Sequence, residues 1–95
     1  MWNLFSPSRP AVDHRALVRD GATLVDVRTD DEFRAGHVQG AKNIPVHEIE
    51  QRLNEIPKDR KVVVYCRSGG RSASAAAVLQ RKGYDVVDIG PMHAW

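Results

Sequence analysis

The stretch Val62-Val-Val-Tyr-Cys-Arg-Ser-Gly-Gly-Arg-Ser72 constrains the fold more than any other. Its first four residues are β-branched or aromatic, with no polar position between them. A strand of that kind is buried on both faces, as strands inside parallel sheets are. Beyond it Gly69 and Gly70 allow the backbone to curl. An alanine-rich stretch, Ser72–Lys82, then reads as a helix. Arg81 and Lys82 place cations at its negative end, and Gly83 suits a left-handed cap. Strand, tight loop and helix are thus written into one continuous segment. A parallel sheet needs further segments of the same kind.

They are present on both sides. Val12–Asp20 carries Val12, Ala16 and Leu17 at helical spacing, and Gly21 is a helix stop. Thr23–Arg28 reads as a second buried strand. Thr29 to Glu32 spells T-x-x-E, a capping box, so a short helix is predicted from there to Gly36. Ala41–Ile44 is a short strand closed by Pro45. Val46, Ile49, Leu53 and Ile56 predict one helix over Val46–Ile56, and Asp85–Ile89 is the last strand. The order predicts an α/β fold: a small parallel sheet of four to five strands with helices on both faces. At 95 residues the chain has room for one such core, so a single domain over 1–95 is expected. Residues 1–11 carry Trp2, Leu4 and Phe5 before a Ser-Pro-Ser-Arg-Pro link. They are expected to form an apolar strap laid over the domain, with a partner or membrane contact as the sharper alternative.

Composition removes several classes of function. With 14 basic and 12 acidic side chains, the net charge of +2 does not point to nucleic acid. The apolar runs are too short to span a bilayer. The N-terminus lacks the charged start and long apolar stretch of a secretory signal, which favours the cytoplasm and no membrane partner. A single cysteine, Cys66, excludes an internal disulfide and an all-cysteine metal site within one chain. The four histidines are not at metal-ligand spacing, so neither metal nor cofactor is expected.

Cys66 stands at a strand end before a curled loop and a helix start. Ligands of open α/β sheets bind at that end of the strands. Successive N–H groups in such a curl form an anion-binding nest, and the helix adds its positive end. Arg67 and Arg71 add charge nearby. This setting lowers a thiol's pKa and makes a thiolate nucleophile toward anionic substrates. The competing reading is a structural core cysteine. A strand-end place among Arg67, Ser68, Gly69 and Gly70 argues against it.

The chain resembles the single-domain rhodaneses, a sulfurtransferase family. The likeness runs from Val12 to Trp95. It rests on Leu24-Val-Asp-Val-Arg28, Glu32-Phe-Arg-Ala-Gly-His37, Gly40-Ala-Lys-Asn-Ile-Pro45, Val62-Val-Val-Tyr-Cys66 with its loop, and Gly83-Tyr-Asp-Val-Val87. The resemblance implies that Cys66 takes sulfane sulfur from a donor such as thiosulfate, becomes a persulfide and passes the sulfur to cyanide or a thiol. It implies that Arg67, Ser68, Gly69, Gly70, Arg71 and Ser72 form the loop that cradles donor and persulfide. A basic Arg67 matches thiosulfate-using members better than mercaptopyruvate-using ones. Arg71 has a second role open to it, pairing with an acidic residue to hold the loop.

Asp26 and Arg28 are charged groups at the end of a buried strand and need partners. The resemblance makes them architectural supports, with Glu32 a second candidate partner for Arg28. His37 is expected to make a structural hydrogen bond after the short helix, while His14 and His47 are expected to be solvated. Where the family carries a glycine pair before its terminal Trp motif, this chain has Pro91 and Met92, and members usually run about a dozen residues further. The pocket rim is therefore expected to be open, and His93 is a minor candidate to reach its mouth.

Two other functions compete. A persulfide carrier would relay sulfur between partner proteins with little turnover on small donors. A cysteine phosphatase of related fold uses C-x5-R, whereas the spacing here is Cys66-x4-Arg71. The shorter ring suits a terminal sulfur better than a phosphoryl group.

Overall fold

A computed structural model describes residues 13–95. The apolar strap expected over residues 1–11 lies outside the described residues, as does Val12.

The chain forms a four-stranded parallel sheet in the order β2-β1-β3-β4. The strands are β1 (Thr23–Asp26), β2 (Lys42–Asn43), β3 (Val62–Cys66) and β4 (Val86–Pro91). Every residue of β3 is buried, as its unbroken apolar run requires. Strand side chains alternate between faces, so the sheet divides the core in two. Val62, Val64 and Cys66 join Val25, Val27 and Ile44 on one side, under α3 (Gly70–Arg81). Val63 and Tyr65 join Leu24 on the other, where Leu17 and Val18 of α1 (His14–Arg19) pack. Helices therefore cover both faces.

The capping box forms as predicted. Thr29 caps α2 (Asp30–Ala35), and the Thr29 and Glu32 side chains satisfy each other's backbone N–H groups.

The helix expected over Val46–Ile56 does not form. Two 3₁₀ stretches stand there instead, Val46–Glu48 and Glu50–Glu55, with a kink at Arg52 (φ −118°, ψ 23°). The apolar spacing permits this as well as an α-helix. Val46 and Ile49 are three apart, as are Leu53 and Ile56, which suits the three-residue turn of a 3₁₀ helix. The four-residue step between the pairs is taken up at the kink. The Tyr84 hydroxyl donates toward the Ile56 carbonyl at 2.7 Å and the Leu53 carbonyl at 3.2 Å, fixing the segment's end to the sheet.

β4 carries an irregularity where it reaches the end of β3. Val64 pairs with Asp88 and Tyr65 with Gly90, leaving Ile89 as the extra residue of a bulge. Gly90 takes φ +75°, and its N–H donates to the Asp88 carboxylate at 2.8 Å. The bulge brings Pro91 opposite Cys66. No helix among the described residues is long and apolar enough to cross a membrane.

Candidate active site

The site is built where β3 runs into α3. Gly69, the residue before the helix, takes φ +106° and ψ −24°, a left-handed conformation that side chains disfavour. Its N–H turns back and donates to Cys66 Sγ at 2.9 Å. Ser72, in the first turn of α3 and fully buried, places its Oγ 3.4 Å from the same sulfur and donates to the Gly69 carbonyl at 3.1 Å. A serine hydroxyl has one proton to give. With a neutral thiol the proton serves the Gly69 carbonyl, and the thiol donates to Ser72 Oγ. With a thiolate the hydroxyl can turn to the sulfur.

Burial pushes the Cys66 thiol up. The Ser72 hydroxyl and the N–H groups of Ser72, Gly69 and Ser68 pull it down, and the balance lies below the ordinary thiol value. The sulfur thus sits in a ring of donors that favours its charged form.

Cys66 has no exposed surface. This corrects the expectation that polar neighbours keep it out of the core. Arg67, Ser68 and Gly70 are exposed, but position 66 shares the parity of Val62 and Val64. Its side chain therefore turns inward, beneath the loop that those neighbours form.

The two loop arginines part ways. Arg67 is exposed and makes no hydrogen bond or ion pair among the described residues. Arg71 turns to α2, where its two terminal nitrogens donate to the two Glu32 oxygens at 2.7 and 3.0 Å. Glu32 also accepts from the Thr29 N–H at 2.9 Å. The Arg71 fork and the Thr29 N–H hold the Glu32 carboxyl down at about 2. Glu32 is thus the acid that pairs with Arg71, and it does not partner Arg28.

Arg28 pairs instead with Asp26. Both are buried, and Arg28 donates to the Asp26 carboxylate through Nε at 3.0 Å and a terminal nitrogen at 2.6 Å. The same terminal nitrogen donates to the Gly36 carbonyl at 2.7 Å, tying the end of α2 to β1. The Arg28 guanidinium lies over the Tyr65 ring, 5.7 Å from its centre. The Tyr65 hydroxyl accepts from the Val38 N–H, and burial pushes its phenol up to about 12. His37 makes the expected structural hydrogen bond, Nδ1 to the Phe33 carbonyl at 2.8 Å, and stacks on the Phe33 ring. His47 is exposed as expected, but His14 is half-buried against the Trp95 ring.

Three residues take roles here that the sequence does not assign them. Glu32 is legible from its capping box, the signal that also fixes its carboxylate for Arg71. Tyr65 reads only as strand. Asn43, whose amide donates to the carbonyls of Asp26 and Arg28 at 3.0 Å each, carried no signal at all.

A family model for the rhodanese-like domain matches residues 11–95, and the chain belongs to that family. It is 45% identical over 87 residues to a sulfurtransferase of Allochromatium vinosum, covering 90% of this chain and 81% of that one. It is 35% identical over 88 residues to the thiosulfate sulfurtransferase GlpE of Pseudomonas syringae pv. syringae, covering 90% of this chain and 83% of that one. A solved structure of a rhodanese with anions from E. coli superposes with a TM-score of 0.73 at 34% identity, covering 78% of this chain and 91% of that one. The chain spans only 20% to 49% of three other relatives, so the same fold also occurs within longer proteins.

Proposed function

We propose that the chain is a sulfurtransferase that carries sulfane sulfur as a Cys66 persulfide, from thiosulfate or a similar anionic donor to cyanide or a thiol. The observation that carries this reading is the single thiol held below its ordinary pKa by the Ser72 hydroxyl and inward-turned loop amides. Membership of the rhodanese-like family and the names of its relatives point the same way.

In the first step the Cys66 thiolate attacks the outer sulfur of thiosulfate. The sulfur–sulfur bond of the donor breaks, and its electron pair leaves with sulfite. The persulfide carries its charge on the terminal sulfur, and the N–H donors of the 67–72 loop are the groups that stabilise it in this reading. In the second step cyanide or a thiolate attacks that terminal sulfur. The bond to Sγ breaks, thiocyanate or an acceptor persulfide leaves, and the Cys66 thiolate is restored. No net redox change is required. Because Cys66 is covered, the loop moves to admit the donor, and Gly69 and Gly70 are its most pliant points. Arg67 is the cation free to meet the sulfonate end of thiosulfate. The single-domain arrangement over 1–95 and a cytoplasmic setting belong to the same proposal.

A relay between proteins is the second reading, favoured by the recurrence of this fold inside longer relatives. Thiocyanate formation from thiosulfate and cyanide decides between them. The purified chain is expected to turn over repeatedly, and Cys66→Ser to abolish turnover. Thiocyanate production that survives Cys66→Ser would refute the proposal. Loading from a protein persulfide donor, with no turnover on thiosulfate, would favour the relay.

A further inference from the structure

The Glu32–Arg71 pair joins two elements that otherwise share little. Glu32 belongs to α2, 39 positions before Arg71 in sequence, and Arg71 to the first turn of α3, five positions beyond Cys66. The pair is bidentate, which fixes direction as well as distance. One end is anchored, because the Thr29 N–H holds the same carboxylate that Arg71 grips. The other end is part of the structure that aims the Ser68, Gly69 and Ser72 N–H groups at the sulfur. Gly69 and Gly70 are pliant, so nothing in their own backbone preferences keeps those donors in place. A cap at one helix therefore braces the curl at the start of another.

We propose that Glu32 is a positioning residue for Cys66: acting through Arg71, it holds the loop so that its N–H groups stay on the sulfur. The pair also occupies Arg71, leaving Arg67 as the loop's unpaired cation among the described residues. The brace deepens the sulfur-transfer reading and rests on it for its purpose, but its test does not require sulfur transfer.

The charged groups around Cys66 are few. The loop carries Arg67, the first turn of α3 carries Arg71, α2 carries Glu32, and Asp26 at the end of β1 pairs with Arg28 just beyond it, while β4 lays uncharged Pro91 opposite. Two effects of losing the Glu32 charge oppose each other. As a nearby anion, Glu32 disfavours the thiolate, so its loss would lower the thiol pKa. As a brace, it keeps N–H donors on the sulfur, so its loss would raise the pKa. The brace predicts the second sign.

The pH dependence of Cys66 alkylation by iodoacetamide reads this directly. The midpoint matters rather than the plateau rate, which loop opening alone could change. In Glu32→Gln the midpoint is expected to rise by about one pH unit. Arg71→Gln is expected to raise it similarly, and Glu32→Gln is expected to add nothing in the Arg71→Gln background. Glu32→Asp keeps the charge but shortens the reach, and is expected to behave as Glu32→Gln does. An unchanged midpoint, a midpoint that falls, or additive shifts in the double variant would overturn the brace. A shifted midpoint in a chain that thiosulfate cannot load would leave the brace standing and sink the sulfur-transfer reading. Far-UV circular dichroism confirms that each variant folds.

Discussion

Arg67 and Arg71 lie four residues apart in one loop, and the structure separates their duties. Arg71 has its terminal nitrogens satisfied by Glu32, while Arg67 reaches solvent with no partner among the described residues. If Arg67 meets the donor's sulfonate, Arg67→Ala should raise the KM for thiosulfate several-fold and change kcat little. Steady-state kinetics across thiosulfate concentrations would check this, and an unchanged KM would remove Arg67 from donor binding. Asp26 and Arg28 make a different kind of claim. Asp26 is fully buried, so Arg28→Ala would strand its charge in the core. Such a loss costs about 3–5 kcal/mol, which a urea unfolding midpoint would report. A loss below about 1 kcal/mol would mean that Asp26 is already well served by other groups. At this scale the sequence was legible where chemistry needs a particular residue type. One cysteine after a buried strand and before two glycines marks the candidate nucleophile. Inward direction is not legible from local polarity, which says nothing about which face a strand residue takes; it is legible from parity with Val62 and Val64.

Among the elements, capping signals and strand composition proved dependable guides. Thr29 with Glu32 located the start of α2, and Gly83 marked the end of α3. Over Val46–Ile56 periodicity does not discriminate, because apolar residues at spacings of three, four and three satisfy both an α-helix and two 3₁₀ turns. Pairwise contacts decided between them. Tyr84 hydrogen-bonds to two carbonyls near the segment's end, and the Arg52 fork grips Glu55 and Glu48 across the kink. Neither contact is visible in periodicity. Tyr84→Phe leaves the ring in place and removes the donor, so it should destabilise by about 1–2 kcal/mol. Chemical denaturation would measure that cost, and a neutral result would mean that water replaces the hydroxyl. Strand β2 is shorter than its apolar composition implies, since only Lys42 and Asn43 pair with β1. Beyond it the Ile44 and Val46 N–H groups still donate to the Asp26 and Val27 carbonyls at 3.0 Å each, on either side of Pro45.

At the scale of the whole molecule, the sheet fixes where the Cys66 thiol stands. β3 forms the buried spine of the sheet, and packing on both of its faces fixes the position of its last residue. Ion pairs at the periphery then join parts of the molecule, Glu32 with Arg71 between α2 and α3 and Glu55 with Arg52 within the 46–56 segment. Their acid sensitivity gives a global prediction. Glu32 and Glu55 are each held at about 2, against an ordinary value of 4.5, by Arg71 and Arg52 respectively. Because the folded values are depressed, the stability these groups contribute is complete above pH 4.5. It is lost as pH falls toward 2. Thermal melts from pH 6 downward should therefore show a falling Tm that begins near pH 4.5. A Tm flat to pH 2.5 would contradict both pairings. The central claim concerns the one sulfur atom at the end of the spine. Intact-protein mass spectrometry after incubation with thiosulfate tests it most directly. The account predicts a gain of one sulfur atom, located on Cys66, absent in Cys66→Ser and removed by cyanide. A mass that stays unchanged, or a sulfur adduct that persists in Cys66→Ser, would contradict it.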